Sequence, residues 1–383
     1  MRRGKSFEGS WKKPYRGIIF PFICAGGQMP RSTCLSTPKK LAEAAILALR
    51  ALNLVDNNLA IRRVGEHVLL PLLRAPTPRE IASLKGELRE LVVSVEDFEP
   101  VVKRPKSLVA LLEGRLSPHL ISSLPRSYDI VGDIAILEIP PELENYKDLI
   151  GEAMLTLHRN VRTVVAKAGS VQGLFRTREL TVIAGVRKTE TTYREHGCVY
   201  YLDLAKVYFS PRLAYERDRV ASQVQENENV IDMFAGVGPF SVLIAKKRRN
   251  IRVYAIDMNP DAVKYLKLNI AANGVQDKVF PMLGDAKELI KEKLRGIANR
   301  VIMNLPAEAM AYIDVACEAL THEGGIIHFY EFASEPNPLE NARLRLIEAV
   351  SKSGRKMQTI SKIRLVKPTA PREWQVAIDS IIR

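Results

Sequence analysis

Apolar residues in the C-terminal half of this chain gather into short runs that each end on a polar residue and give way to a turn. Val230-Ile231 closes on Asp232 and is followed at once by Met233-Phe234-Ala235-Gly236-Val237-Gly238-Pro239-Phe240, which predicts a buried strand turning tightly into a helix. Residues 252–256 form a second β-prone run, ending in Asp257-Met258-Asn259-Pro260 before helical spacing from Ala262 to Asn269. Residues 279–283 lead to Gly284-Asp285-Ala286, and 300–303 lead to Asn304-Leu305-Pro306. Four such repeats predict parallel strands wound with helices.

Upstream, the periods change more often. Residues 41–52 carry a helical pattern opened by Thr37-Pro38, and 68–73 form an extended run broken by Pro71, which predicts an edge strand. Thr77-Pro78-Arg79-Glu80 starts another helix. Residues 108–116 read as helix, 128–131 and 134–139 as strands paired around Gly132-Asp133, and 140–158 as helix. Strand-like runs follow at 161–165, 179–183, 189–193 and 198–202. Pro211 then opens a helix that puts Glu216 and Arg217 on the approach to the first parallel strand, within an unusually aromatic and basic stretch. The fold class expected is α/β: a C-terminal Rossmann-like domain over 204–383, a small α/β domain over 37–98, and an α+β domain over 99–203. Residues 1–36 are basic and proline-broken, and read either as an RNA-touching arm or as an extension ahead of a start near Met29.

The chain has 383 residues, ample for several cores, and a formal net charge of +14. That excess points to a polyanionic partner, and nucleic acid fits better than membrane because no long apolar span is present. Cys24, Cys34, Cys198 and Cys317 show no C-x-x-C spacing and the six histidines no H-x-x-x-H pair, so neither a zinc site nor a disulfide framework is expected. A reducing, cytoplasmic compartment follows.

Candidate chemistry lies at the strand ends. Gly236 and Gly238 let backbone approach a ligand, and Asp257, ending the second strand, is placed for two ribose hydroxyls. Dinucleotide sites want a third glycine near the pyrophosphate, and Phe240-Ser241-Val242-Leu243 supplies none, so S-adenosylmethionine (AdoMet) is the better ligand. Asp285 can accept from an adenine amino group, while Asn304 and the carbonyls before Pro306 can hold a planar nitrogen substrate beside the methyl group. Each residue alone reads as a loop cap. Four in succession read as a cofactor site.

The ordered motifs F-R-T-R-E-L (175–180), V-Y-F-S-P-R-L-x-x-E-R (207–217), D-M-F-A-G-V-G-P-F (232–240), I-D-M-N-P (256–260), V-I-M-N-L-P (301–306) and A-P-R-E-W (370–374) resemble the archaeal and eukaryotic type of tRNA (guanine-37-N1)-methyltransferase. The resemblance spans residue 37 to the end, leaving out the N-terminal arm. It implies that Glu216 takes the N1 proton, Arg176 stabilises O6 and Asn304 holds the guanine edge. It further implies cofactor contacts from Arg217, Asp232, Gly236, Gly238, Asp257, Met258, Asp285, Ala286, Asn304 and Pro306, and tRNA contacts from Arg178, Ser210, Pro211 and Arg212. A monomer acting on the tRNA anticodon loop, without a protein partner, is the expectation. The rival readings are a wyosine-pathway enzyme that methylates the tricyclic base or transfers the aminocarboxypropyl arm, and a non-catalytic RNA binder, which would lack Glu216, Asn304 or the glycine turn.

Overall fold

The computed structural model describes residues 29–88, 90–101, 105–172 and 177–383, excepting the side chains at 87, 169–172, 177 and 178. The expected arm up to residue 28, Cys24 and Arg176 lie outside the described residues. Packing divides the chain into two units, 1–104 and 105–383.

The first unit contains β1 (Arg31–Pro38), α1 (Ala42–Ala51), β2 (Arg62–Val64), β3 (His67–Pro71), α2 (Pro78–Glu87) and β4 (Val92–Asp97), with the antiparallel sheet ordered β2-β3-β1-β4. Leu35, Leu49, Leu54, Leu70 and Leu84 form its core. Two expectations change here. Residues 31–36 belong to β1, pairing with both β3 and β4, rather than to a disordered arm. Ser32, Thr33, Ser36 and Thr37 dilute the apolar signal, yet Cys34, Leu35 and Thr37 are fully buried. And β3 is an interior strand: β2 pairs only with its residues 67–69, so Pro71 sits beyond the reach of that ladder and costs it no bond. The start of α2 is a capping box, with Glu80 N–H donating to the Thr77 hydroxyl and Thr77 N–H to the Glu80 carboxylate.

The second unit begins with α3 (Leu108–Leu112), α4 (Pro118–Ser122), β5 (Asp129–Val131), β6 (Ile134–Leu137), α5 (Lys147–Leu157), β7 (Thr163–Gln172) and β8 (Thr177–Gly185). Its sheet runs β5-β6-β7-β8, with the helices on one face around Leu112, Ile150 and Met154. Val131, Ile134 and Val165 on the other face join the core of the following layer. The hairpin β9 (Glu190–Glu195) and β10 (Cys198–Asp203) packs with that following layer as well.

α6 (Ala214–Gln223) leads into the alternating elements β11 (Asn229–Asp232), α7 (Pro239–Lys247), β12 (Arg252–Asp257), α8 (Pro260–Asn273), β13 (Val279–Leu283), α9 (Ala286–Leu289), β14 (Arg300–Met303), α10 (Ile313–Ala319) and β15 (Gly325–Ser334). α11 (Pro338–Lys352), β16 (Met357–Ala370) and β17 (Glu373–Ile382) complete it. The seven-stranded sheet is ordered β13-β12-β11-β14-β15-β17-β16, parallel except for β17, which runs against both neighbours. Winding reverses between β11 and β14, which opens a crevice beyond their carboxyl ends. Asn269 and Asn273 of α8 bond the backbone of Tyr201 and Val199 like an added strand, tying the hairpin to the sheet layer.

Candidate functional site

The strand ends at the reversal are held by backbone constraints. Gly236 (φ 56°) and Gly238 (φ 86°) are both left-handed. A Cβ on Gly238 would lie 2.4 Å from Leu266 Cδ1, so α8 closes on the turn only because glycine is there. The Gly236 N–H donates to Asp257 Oδ2 at 2.7 Å, and the Asn259 N–H donates to Oδ1 at 2.9 Å. One carboxylate thus ties β11 to β12 and keeps further lone pairs for a ligand. Burial raises the Asp257 carboxyl above its ordinary value, against the two N–H bonds.

A cavity of about 140 Å³ opens beside this turn. Gly236, Asp257, Met258, Asn304 and Pro306, all expected at the cofactor, are brought together in its wall. Phe234 and Tyr312 meet edge to face in the same wall, ring centroids 5.0 Å apart. Asn304 Oδ1 accepts from Gln375 Nε2 at 3.1 Å, and Gln375, on β17, is almost fully buried. A second groove of about 590 Å³ adjoins, carrying Arg126, Lys167, Ser210, Arg212 and Lys367 on its walls. Tyr208 and Phe332 line both spaces, which therefore adjoin at those two rings.

Glu216 and Arg217 lie on α6 and line neither space. Glu216 is 1% exposed. Its Oε1 accepts from Arg219 Nε at 3.0 Å, Arg219 Nη2 at 2.6 Å and the Tyr330 hydroxyl at 2.9 Å. Its Oε2 has no hydrogen bond, and Arg364 Nη1 stands 3.3 Å away. Arg219 also binds Asp379, which accepts from His328 Nδ1 at 2.6 Å. Burial works against the Asp379 charge, but the bonds from His328 and Arg219 outweigh it and hold the carboxyl well below its usual range.

Arg217 departs from expectation. It is 1% exposed and forms a bidentate pair with Glu195 at 2.7 and 2.9 Å, donates to the Ser210 carbonyl at 2.9 Å, and lies over the Phe209 ring. A buried guanidinium needs its compensating charge, and here Glu195 supplies it, so Arg217 braces the 207–213 segment instead of contacting the cavity. Asp232 is likewise buried behind the turn. Its Oδ2 accepts from the Ser241 hydroxyl at 2.7 Å, its Oδ1 is unpartnered, and burial, with the nearby Asp257 charge, pushes its pKa up to about 7. Gly238 shapes the turn without lining the cavity. Asp285 caps α9 through the Lys287 N–H at 2.7 Å and Ala286 is buried, neither in the cavity wall.

Of the residues expected to meet tRNA, Ser210 and Arg212 face the groove, Arg212 Nε donating to Asp129 Oδ1 at 2.6 Å, and Pro211 starts the turn before α6. Arg178 is in β8. Sequence reasoning missed Tyr208, Phe332, Gln375, Arg219, Tyr330 and Arg364. Tyr208 carried a signal, the aromatic and basic stretch it belongs to. The rest arrive from β15, β16 and β17, or lie one helical turn from Glu216, and no local pattern marks them. Among the described residues no cluster suits a metal ion, and no helix is long and apolar enough to cross a membrane.

Comparison with known proteins agrees with this architecture. Residues 191–359 match the TRM5/TYW2 methyltransferase domain, 108–189 the TYW2 N-terminal domain, and 34–80 the tRNA methyltransferase 5 N-terminal domain. The tRNA (guanine(37)-N(1))-methyltransferase Trm5b of Pyrococcus abyssi is 41% identical over 345 residues, which is 90% of this chain and 97% of the relative. A structure of aTrm5 in complex with tRNALeu aligns with a TM-score of 0.73 at 35% identity, covering 91% of this chain and 99% of that one. A Methanocaldococcus jannaschii TYW2 structure in complex with AdoMet aligns with a TM-score of 0.52 at 29% identity, covering 67% and 99%. An alternating sheet with this reversed winding, a glycine turn tied to Asp257, and likeness along nine-tenths of the length converge: the chain belongs to the TRM5/TYW2 methyltransferase family.

Proposed function

We propose that this chain methylates N1 of guanosine 37 in the anticodon loop of tRNA, using AdoMet. The observation that carries the reading is the pair of adjoining spaces, a small cavity at the sheet reversal and a larger groove lined by charged residues, joined at Tyr208 and Phe332 with Asn304 in the cavity wall. Asp257 would take the ribose hydroxyls, Phe234 and Tyr312 give aromatic wall against which an adenine could pack, and Asn304 to Pro306 border the methyl. AdoMet supplies a methyl group on a cationic sulfur. The net charge of +14 suits a polyanion, and in the groove Arg126 and Lys367 stand beside Lys167 and Arg212, which are paired with Glu138 and Asp129. Tyr208, 47% exposed, is available for stacking by a base turned out of its loop.

N1 of guanine carries a proton at neutral pH. In this reading the proton passes to Glu216, the N1 electron pair takes the methyl, and the sulfur keeps the electrons of the broken S–C bond. Arg176 would stabilise the charge on O6 and Asn304 would hold the guanine edge. The relatives named for guanine-37 methylation, and the match of 34–80 to the tRNA methyltransferase 5 N-terminal domain, support this substrate. The match of 108–189 to the TYW2 N-terminal domain keeps wyosine-pathway chemistry on the same site as a second reading. On this reading the chain works in a reducing, cytoplasmic setting, with which Cys34, Cys198 and Cys317, free and buried, are compatible.

The experiment is Glu216→Gln assayed for AdoMet binding and methyl transfer separately. Affinity is expected within about twofold of wild type while turnover falls ~10²-fold, as for loss of a general base. Lost affinity with normal turnover at saturation would remove Glu216 from the base role.

A further inference from the structure

The two oxygens of Glu216 are treated differently by their surroundings. Oε1 is saturated by three donors, two from Arg219 and one from Tyr330. Oε2 is buried without a hydrogen bond, its charge met only by the Arg364 guanidinium at 3.3 Å.

The donors on Oε1 are fixed in place. Arg219 is tied at its far side to Asp379, which is held in turn by His328 and by Gln223 Nε2 at 3.0 Å. Tyr330, fully buried on β15, has its ring 6.2 Å from that of Phe240. Burial pushes its phenol well above 10, so it remains a donor. The neighbour of Oε2 is of another kind. The Arg364 side chain is 26% exposed and lies over Tyr215, itself 66% exposed, at 4.8 Å from the ring centroid. One side of the carboxylate is therefore a rigid cradle, and the other faces a partly exposed arginine at the protein surface.

We propose that Arg219 and Tyr330 are positioning residues that occupy Oε1 of Glu216, so that the N1 proton of the substrate guanine is accepted on Oε2 from the side that Arg364 covers. This rests on the general-base reading given above. The proton moves from N1 to Oε2, the N1 pair forms the new bond to the methyl carbon, the S–C pair stays on sulfur, and Arg219 and Tyr330 keep their own protons. Without the cradle the carboxylate is free to rotate, and Oε2 is no longer held toward the Arg364 side from which the proton would come.

The test is a double-mutant cycle read by single-turnover transfer of labelled methyl to a saturating tRNA transcript bearing guanine at position 37. Tyr330→Phe keeps the buried ring and removes only the hydroxyl. It is expected to slow transfer about tenfold, the effect of one hydrogen bond to a charged group, with AdoMet and tRNA Kd values within about twofold of wild type. In a Glu216→Gln background the same change is expected to add no further loss, because it acts through the carboxylate. An equal loss in both backgrounds, or no loss in either, would overturn the positioning role. Glu216→Gln transferring at the wild-type rate would instead remove the base assignment itself, whatever Tyr330→Phe does. Arg219→Lys, which keeps the charge but cannot serve Oε1 and Asp379 as a fork, is expected to repeat the Tyr330→Phe pattern.

Discussion

Asparagine in place of Asp257 leaves the shape of the cofactor seat intact and converts one acceptor atom into a donor. Oδ2 accepts the Gly236 N–H at 2.7 Å and Oδ1 the Asn259 N–H at 2.9 Å, so an amide must turn its NH2 toward one of those N–H groups. One bond to a charged acceptor is lost, a loss worth about 1.5–3 kcal/mol. The lost tie is absent from free and bound protein alike and lowers stability, whereas the cost to binding is the charged acceptor missing for the AdoMet ribose, a bond of the same worth. With tenfold in affinity for each 1.4 kcal/mol, the Kd is expected to rise about 10- to 100-fold. Isothermal titration with AdoMet measures this, and a melting curve on the same sample establishes that the variant is folded. A Kd within twofold of wild type in a folded variant would refute the ribose assignment, and an unchanged melting temperature would refute the structural role of the Gly236–Asp257 tie.

Four further outcomes follow from the geometry. Gly238→Ala combines a left-handed backbone with a Cβ 2.4 Å from Leu266, and is expected to cost about 2–4 kcal/mol in urea unfolding; an unchanged midpoint contradicts the close-packed turn. Arg217→Met strands the buried Glu195 carboxylate and should destabilise by about 3–5 kcal/mol, leaving AdoMet affinity of the folded protein nearly intact; the converse pattern would restore a cofactor contact. The Asp232 carboxyl titrates near 3.8 unfolded and about 7 folded, so between those values only the native chain holds the proton and native stability falls as pH rises. Asp232→Asn lacks that slope, so its stability relative to wild type should improve across that window and level off above it; a difference flat in pH argues against a protonated Asp232. Lys367→Met, in the groove, should weaken tRNA binding and reduce the salt dependence of log Kd by about one, and an unchanged slope would place the phosphate track elsewhere.

The parallel core was legible because each of its strands is an apolar run ended by a residue with a distinct chemical use, as in Val230 to Asp232 or Arg300 to Asn304. The pocket wall made by Gly236, Asp257, Met258, Asn304 and Pro306 was legible for the same reason, since strand ends on one side of a parallel sheet converge. β1 was hidden because its serines and threonines satisfy the ladder without an apolar count, and Pro71 misled because only register shows where β2 stops. Arg217 stood in a recognisable motif, but its partner Glu195 lies across a hairpin whose packing the sequence does not announce. The cradle around Glu216 was illegible for a related reason. Tyr330 comes from β15, the last strand of the wound core, and Arg364 and Asp379 from β16 and β17, which follow it; antiparallel β17 brings Asp379 opposite His328 only once the sheet has formed.

The central claim is best tested by transfer of labelled methyl from AdoMet to an unmodified tRNA transcript with guanine at position 37, beside the same transcript with adenine there, followed by nucleoside analysis. The account predicts N1-methylguanosine from the guanine transcript and no incorporation from the other. Equal incorporation into both, or none into either while AdoMet is still bound, would contradict it, and the latter would turn attention to a tRNA already modified at that position.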